Sequence, residues 1–185
     1  MPVTLKVTLP PAVVVGVALN DFFEEQVRQE LLVAFTLVIG AGILWMADWL
    51  GRRTKPLGDL GFGAAFGIGC AQAVALVPGI SRSGISISAG LFAGLTREGA
   101  ARFSFLMATP ITLGAVIWEV RKLASGESGV TPDLGILVAG MIAAAAAGFV
   151  AIAFLLRYLR SHSMTVFVVY RLVLAAIVVV HFLST

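Results

Sequence analysis

Charge is scarce in this sequence. Only 12% of its 185 residues are Asp, Glu, Lys or Arg, about half the roughly 25% of soluble domains. Hydrophobic residues make up 59% and the mean hydropathy is +1.00. A soluble domain of this size has too thin a polar shell to hide that much apolar surface, so the composition indicates an integral membrane protein. Cysteine is nearly absent: Cys70 alone excludes an intramolecular disulfide and any Cys-x-x-Cys metal site. In its Gly/Ala-rich run, Cys70 is expected to be a small packing residue. Histidine occurs twice, as His162 in a connector and His181 near the end of the last apolar run, positions that suit surface or interface residues. The net charge is +3, but the basic residues are scattered through short connectors, with no basic stripe and no interleaved aromatics. Nucleic acid is therefore not an expected partner, and the pattern instead sets orientation in a membrane. The start, MPVTLKVTLPPAVVVGVAL, lacks the charged n-region and small-residue cleavage site of a signal peptide.

Apolar runs fall at about 9–19, 31–50, 61–77, 85–95, 103–120, 134–156 and 164–183. Crossing a bilayer takes about 20 helical residues, with about 17 as a lower bound. Four runs (31–50, 103–120, 134–156 and 164–183) qualify, and the first does so only if it starts near Val3. The expected fold is all-α and polytopic, with about five spanning helices, in a single membrane domain over 1–185. The stretch 61–95 is different. Its arms, 61–77 and 85–95, correspond to roughly 25 Å and 16 Å of helix, and the second is too short to cross. Between them lies Pro78-Gly79-Ile80-Ser81-Arg82-Ser83-Gly84. Non-helical backbone with a charge survives at membrane depth only inside protein or beside a water-filled cavity. A re-entrant hairpin over 61–95 is expected, with its tip part-way into the bilayer.

If the hairpin enters and leaves on one face, Lys6, Arg52, Arg53, Lys55, Arg97, Arg102, Arg157 and Arg160 share a side, against Arg28, Arg121 and Lys122 on the other. That bias makes the first side cytoplasmic and puts the C-terminus outside. Gly63/Gly67, Gly90/Gly94 and Gly140/Ala144/Gly148 have the small-residue spacing of close helix contacts. Thr96 is a candidate N-cap, followed by a solvated first turn with Arg97, Glu98 and Arg102.

The tip is the strongest functional signal. Ser81 and Ser83 bring hydroxyls, Arg82 a permanent cation, and Gly79 and Gly84 allow close backbone approach. The N-terminus of the second arm adds positive potential. Together these describe an anion site suited to phosphate; the plainer alternative is that Arg82 snorkels from a loop to the membrane surface. Arg171, inside an apolar run, is either a structural ion-pair partner, with Glu119 as one candidate, or a second phosphate contact.

The segment GCAQAVALVPGISRSGISISAGLFAGLTREGAARFSFLMATP resembles the undecaprenyl-diphosphate phosphatase family of the bacitracin-resistance type. The signature is Gln72-x-x-Ala75-Leu76-x-Pro78-Gly79-x-Ser81-Arg82-Ser83-Gly84, followed by GLTREGAARFSFL. The late VYRLVLA around Arg171 and the early PPAVVVGVALNDFFEE also look like it. The resemblance implies two inverted repeats, each with a re-entrant hairpin, meeting near mid-membrane. It implies removal of the terminal phosphate from undecaprenyl diphosphate, recycling the cell-wall lipid carrier in the bacterial plasma membrane. Ser81, Arg82 and Ser83 would be the catalytic group, with Gln72, Pro78, Gly79, Gly84 and Arg171 around the substrate. The implied partners are the polyprenyl diphosphate, membrane lipid and a second copy of the chain. The one departure is in the first repeat. The family's Glu-x-x-x-Glu and Pro-x-Ser-Ser-x-Gly-His segments have no counterpart here, since Glu24, Glu25 and Glu30 sit in a connector. The chain is therefore expected to be N-terminally incomplete relative to the family. No carboxylate pair has the spacing to hold a metal, although Mg²⁺ or Ca²⁺ is a plausible assistant. The alternatives are a lipid-phosphate binding or transport module, or an inactive fragment.

Overall fold

The structure is a computed structural model that describes residues 30–125 and 133–184. Among them there are six α-helices and no strand: α1 (Glu30–Leu50), α2 (Phe62–Val74), α3 (Arg82–Phe92), α4 (Arg97–Ala124), α5 (Leu134–Leu159) and α6 (Thr165–Ser184). Helices α1, α4, α5 and α6 are long and apolar enough to cross a membrane, which makes the chain a polytopic membrane protein. The expected span at 9–19 and the acidic connector with Glu24 and Glu25 lie outside the described residues.

Helices α2 and α3 are the arms of the hairpin, and its base is fixed by backbone. The amides of Thr54 and Lys55 donate to Gly94 O at 3.1 and 2.9 Å, and Thr96 N donates to Lys55 O at 3.0 Å. The chain thus enters and leaves the hairpin at the same end. Gly94 makes the closing turn with φ +90, a left-handed conformation that only glycine adopts cheaply. The arms are shifted from expectation. The first ends at Val74, where Ala75 keeps right-handed helical angles but Ala75, Leu76 and Val77 donate three residues back and tighten the chain into turns ahead of Pro78. The second starts at Arg82, three residues early, because the Ser81 hydroxyl caps it by accepting from Gly84 N at 3.2 Å. Arg82, Ser83 and Gly84 are thus a first helical turn rather than tip loop.

The base end is clasped by Asp48, buried at the end of α1. Its carboxylate accepts from Arg97 Nε at 2.5 Å and Nη2 at 3.1 Å, and from Met164 N at 3.1 Å. Arg160 donates to Glu98 through Nε and Nη2, at 3.0 and 2.8 Å. The ends of α1 and α5, the hairpin base and the starts of α4 and α6 therefore meet at one end. Thr96 does cap α4, accepting from Gly99 N at 3.1 Å. Arg97, however, is tied to Asp48 rather than simply solvated.

Antiparallel α3 and α4 pack in tight register. Ser86 Oγ lies 2.7 Å from Ser104 Oγ, and a Cβ on Gly90 would sit 2.9 Å from that of Ala100. Leu44, Ile68, Leu91, Leu95, Met107 and Met164 fill the space around the hairpin, while α6 runs along α1. Of the expected small-residue contacts, only Gly90 is close-packed. Positions Gly63, Gly67, Gly140 and Gly148 face open space, and Cys70 is exposed rather than packed. Helix α5 buries Leu159 alone. Lipid is as apolar as the side chains, so nothing drives such faces out of it.

Candidate anion site at the hairpin tip

The tip is docked on α1 by a hydroxyl. Thr36, 4% exposed, has its Oγ1 2.6 Å from Pro78 O, with Leu32 O and Val33 O at 2.9 and 3.0 Å sharing the same proton. Gly79 takes φ +87, and a Cβ there would run into the Thr36 hydroxyl. Thr36 lies twelve residues before Asp48 on α1, roughly 18 Å from the clasped end. That distance is a little over half the roughly 30 Å thickness of a hydrocarbon core.

Beyond the tip, the Ser81 and Ser83 hydroxyls lie 3.2 Å apart at the N-terminus of α3. Arg171 comes from α6, and two glycines make room for it. A Cβ on Gly84 would strike its guanidinium nitrogens, and one on Gly40 would lie 3.4 Å from Nη1. Arg171 is half-buried and makes no ion pair among the described residues; in particular, it does not pair with Glu119. Ser81, Ser83, Gly84 and Arg171 line one cavity of about 280 Å³ whose other walls, Tyr170 apart, are apolar, among them Leu37, Ile87 and Phe105.

The expected site residues therefore separate. Ser81, Ser83, Gly84 and Arg171 are brought together. Pro78 and Gly79 shape the turn against α1. Arg82 is exposed and does not line this cavity. Gln72 lies outside the lining too, 3% exposed, with an Oε1 that finds no hydrogen-bond partner among the described residues. His162 is exposed and stacks on Tyr158, ring centroids 4.3 Å apart. Three residues went unremarked in the sequence: Thr36, Gly40 and Asp48. For Thr36 and Asp48 the available signal was a lone polar residue within an apolar run; for Gly40 there was none beyond its small size.

Chemically, the cavity offers a guanidinium fork, two hydroxyls and free amides at the positive end of a helix dipole. Placing a guanidinium beside a helix N-terminus brings two positive groups together at membrane depth, where a charge on a helix costs about 2.5–3.5 kcal/mol or more. An anion between them removes that conflict. The lining contains no carboxylate or histidine. No group of three His, Cys, Asp or Glu side chains that could hold a metal ion forms among the described residues.

A polytopic membrane protein whose helical hairpin carries, at its tip, a cavity lined by a guanidinium and two hydroxyls is the class these features define. The chain belongs to the family described as bacitracin resistance protein BacA, whose model matches residues 1–177. Curated relatives called undecaprenyl-diphosphatase are similar to it. One from Alcanivorax borkumensis is 44% identical over 164 residues, covering 89% of this chain and 61% of that protein. One from Desulforudis audaxviator is 40% identical over 176 residues, covering 95% and 66%. One from Methanothermobacter thermautotrophicus is 40% identical over 163 residues, covering 86% and 88%. The chain thus spans less than two thirds of the first two relatives.

Proposed function

We propose that the chain binds the diphosphate of undecaprenyl diphosphate at the hairpin tip and takes part in its hydrolysis to undecaprenyl phosphate and inorganic phosphate. The observation that carries this reading is Arg171, threaded between Gly40 and Gly84 over the N-terminus of α3 beside the Ser81 and Ser83 hydroxyls. Family membership and the activity named for the relatives support it. One phosphate would sit against Arg171, the hydroxyls and the α3 amides. Exposed Arg82, one residue from each serine, would reach the second. Gln72 would offer its orphan oxygen to a protonated group nearby. Water, or a serine whose ester water later clears, must attack the outer phosphorus while the cations stabilise the growing oxyanion charge.

In this reading the proton-handling group is not in the described cavity, because arginine stays protonated at any working pH. General acid–base help is typically worth about 10²–10⁴-fold, and the family's Glu-x-x-x-Glu and Ser-Ser-x-Gly-His segments are missing from the sequence. The purified chain should therefore bind the diphosphate and turn it over slowly. The membrane would be the bacterial plasma membrane, with the arginine-rich end cytoplasmic and the C-terminus outside. The test is twofold: equilibrium binding of inorganic diphosphate, and phosphate release from undecaprenyl diphosphate in detergent, for this chain and for the same chain joined to a family first repeat. Binding without turnover, restored by the repeat, supports the reading; no diphosphate binding refutes it.

A further inference from the structure

Helices α4 and α5 leave a second cavity between them, of about 510 Å³, open along the membrane-facing side. It runs from Arg102 to Leu113 on α4 and meets Ile152 and Leu156 on α5. Two threonines in its wall, Thr109 and Thr112, would be polar blemishes, but each hydroxyl is spent on its own helix. Thr109 Oγ1 donates to Phe105 O and Thr112 Oγ1 to Ala108 O, both at 3.0 Å. The groove therefore shows methyl groups and no unmet donor below Arg102, a surface for an apolar occupant.

Its position names that occupant. The contacts of Ser86 with Ser104 and of Gly90 with Ala100 fix the antiparallel register of α3 and α4, which puts Gly84 level with Leu106. The groove thus lies alongside the tip, not above or below it. Phe105, half-buried, lines both this groove and the anion cavity, and Leu155 and Leu156 turn to the two in succession. A lipid with its phosphate on Arg171 begins its tail one ring's width from the groove.

Resting on the function proposed above, we propose that the α4–α5 groove receives the isoprenoid tail of the bound polyprenyl diphosphate, with Phe105 as the partition the tail passes. The gain is in packing rather than transfer from water, because the tail is already in hydrocarbon. Its effect on affinity is accordingly modest, about tenfold, which corresponds to about 1.4 kcal/mol.

The experiment measures binding of inorganic diphosphate, farnesyl diphosphate and undecaprenyl diphosphate to the whole chain in detergent. Thr109→Trp and Leu113→Trp fill the groove from exposed positions, and Ile117→Trp places the same bulk on α4 outside it. Weaker binding of the long-tailed ligand by about tenfold in both groove variants, with inorganic diphosphate unchanged and Ile117→Trp like the parent, is the expected result. Undiminished long-tail binding in both groove variants overturns the proposal, as does equal loss for all three ligands in both. Failure of the parent to bind inorganic diphosphate overturns the cavity reading instead, and the groove proposal with it.

Discussion

Replacing Gly84 by alanine isolates the anion site from the fold. The new Cβ would fall on the Nη1, Nη2 and Cζ atoms of Arg171, which are the far end of a flexible side chain. The guanidinium, rather than the backbone of α3, is what gives way. Gly84 is in the first turn of a helix, where alanine is intrinsically better than glycine by about 0.5–1 kcal/mol, so the substitution should leave the thermal midpoint unchanged or slightly raised. Binding should tell the opposite story. Hydrogen bonds to charged groups contribute about 1.5–3 kcal/mol, and evicting the fork from the cavity forfeits them, so diphosphate affinity should fall by roughly 10- to 150-fold. Calorimetric titration of inorganic diphosphate into detergent-purified protein, with a thermal melt without ligand, measures both quantities. Parental affinity in Gly84→Ala would refute the role given to Arg171, and a large fall in melting temperature would refute the claim that the side chain yields.

Arg171→Lys should also weaken diphosphate binding by tenfold or more, since an ammonium cannot grip two oxygens with a planar fork; titration of the variant checks this. Thr36→Val removes the donor to Pro78 O and should lower stability by about 1–3 kcal/mol, the cost of an unsatisfied buried acceptor, read as a drop in thermal midpoint. In a Cys70→Ala background, a cysteine at Ser83 should react with a small water-soluble thiol reagent while one at Val74 should not, because thiolate forms only where water reaches; equal protection would mean a dry tip. Asp48→Asn weakens the clasp on Arg97 while keeping an acceptor for Met164 N, so it should cost stability without lowering the affinity for inorganic diphosphate, as paired melting and titration will show.

Sequence determined what depends on composition and spacing. Too little charge and too many apolar residues require a membrane, because no soluble surface can hide them. Run lengths picked out the four spanning helices found among the described residues and marked the second arm as too short to cross, because bilayer thickness is a fixed ruler. The Pro78–Gly84 block marked the tip, because proline and charge have few legal places at that depth. Tertiary structure decided which residues share a cavity. Arg82 and Arg171 are equally cationic on paper, but only α6 lying along α1, with Gly40 and Gly84 stripped of side chains where it passes, brings Arg171 over the helix N-terminus, while Arg82 points outward from its own first turn. Small-residue spacing misled at Gly140, Ala144 and Gly148 because the same residues suit either a tight helix contact or a lipid-facing surface. Asp48 shows the reverse: one acid near the end of an apolar run is unremarkable until the fold gathers Arg97 and Met164 N around it. Long-range pairing of that kind is set by the path of the chain, which local pattern does not encode.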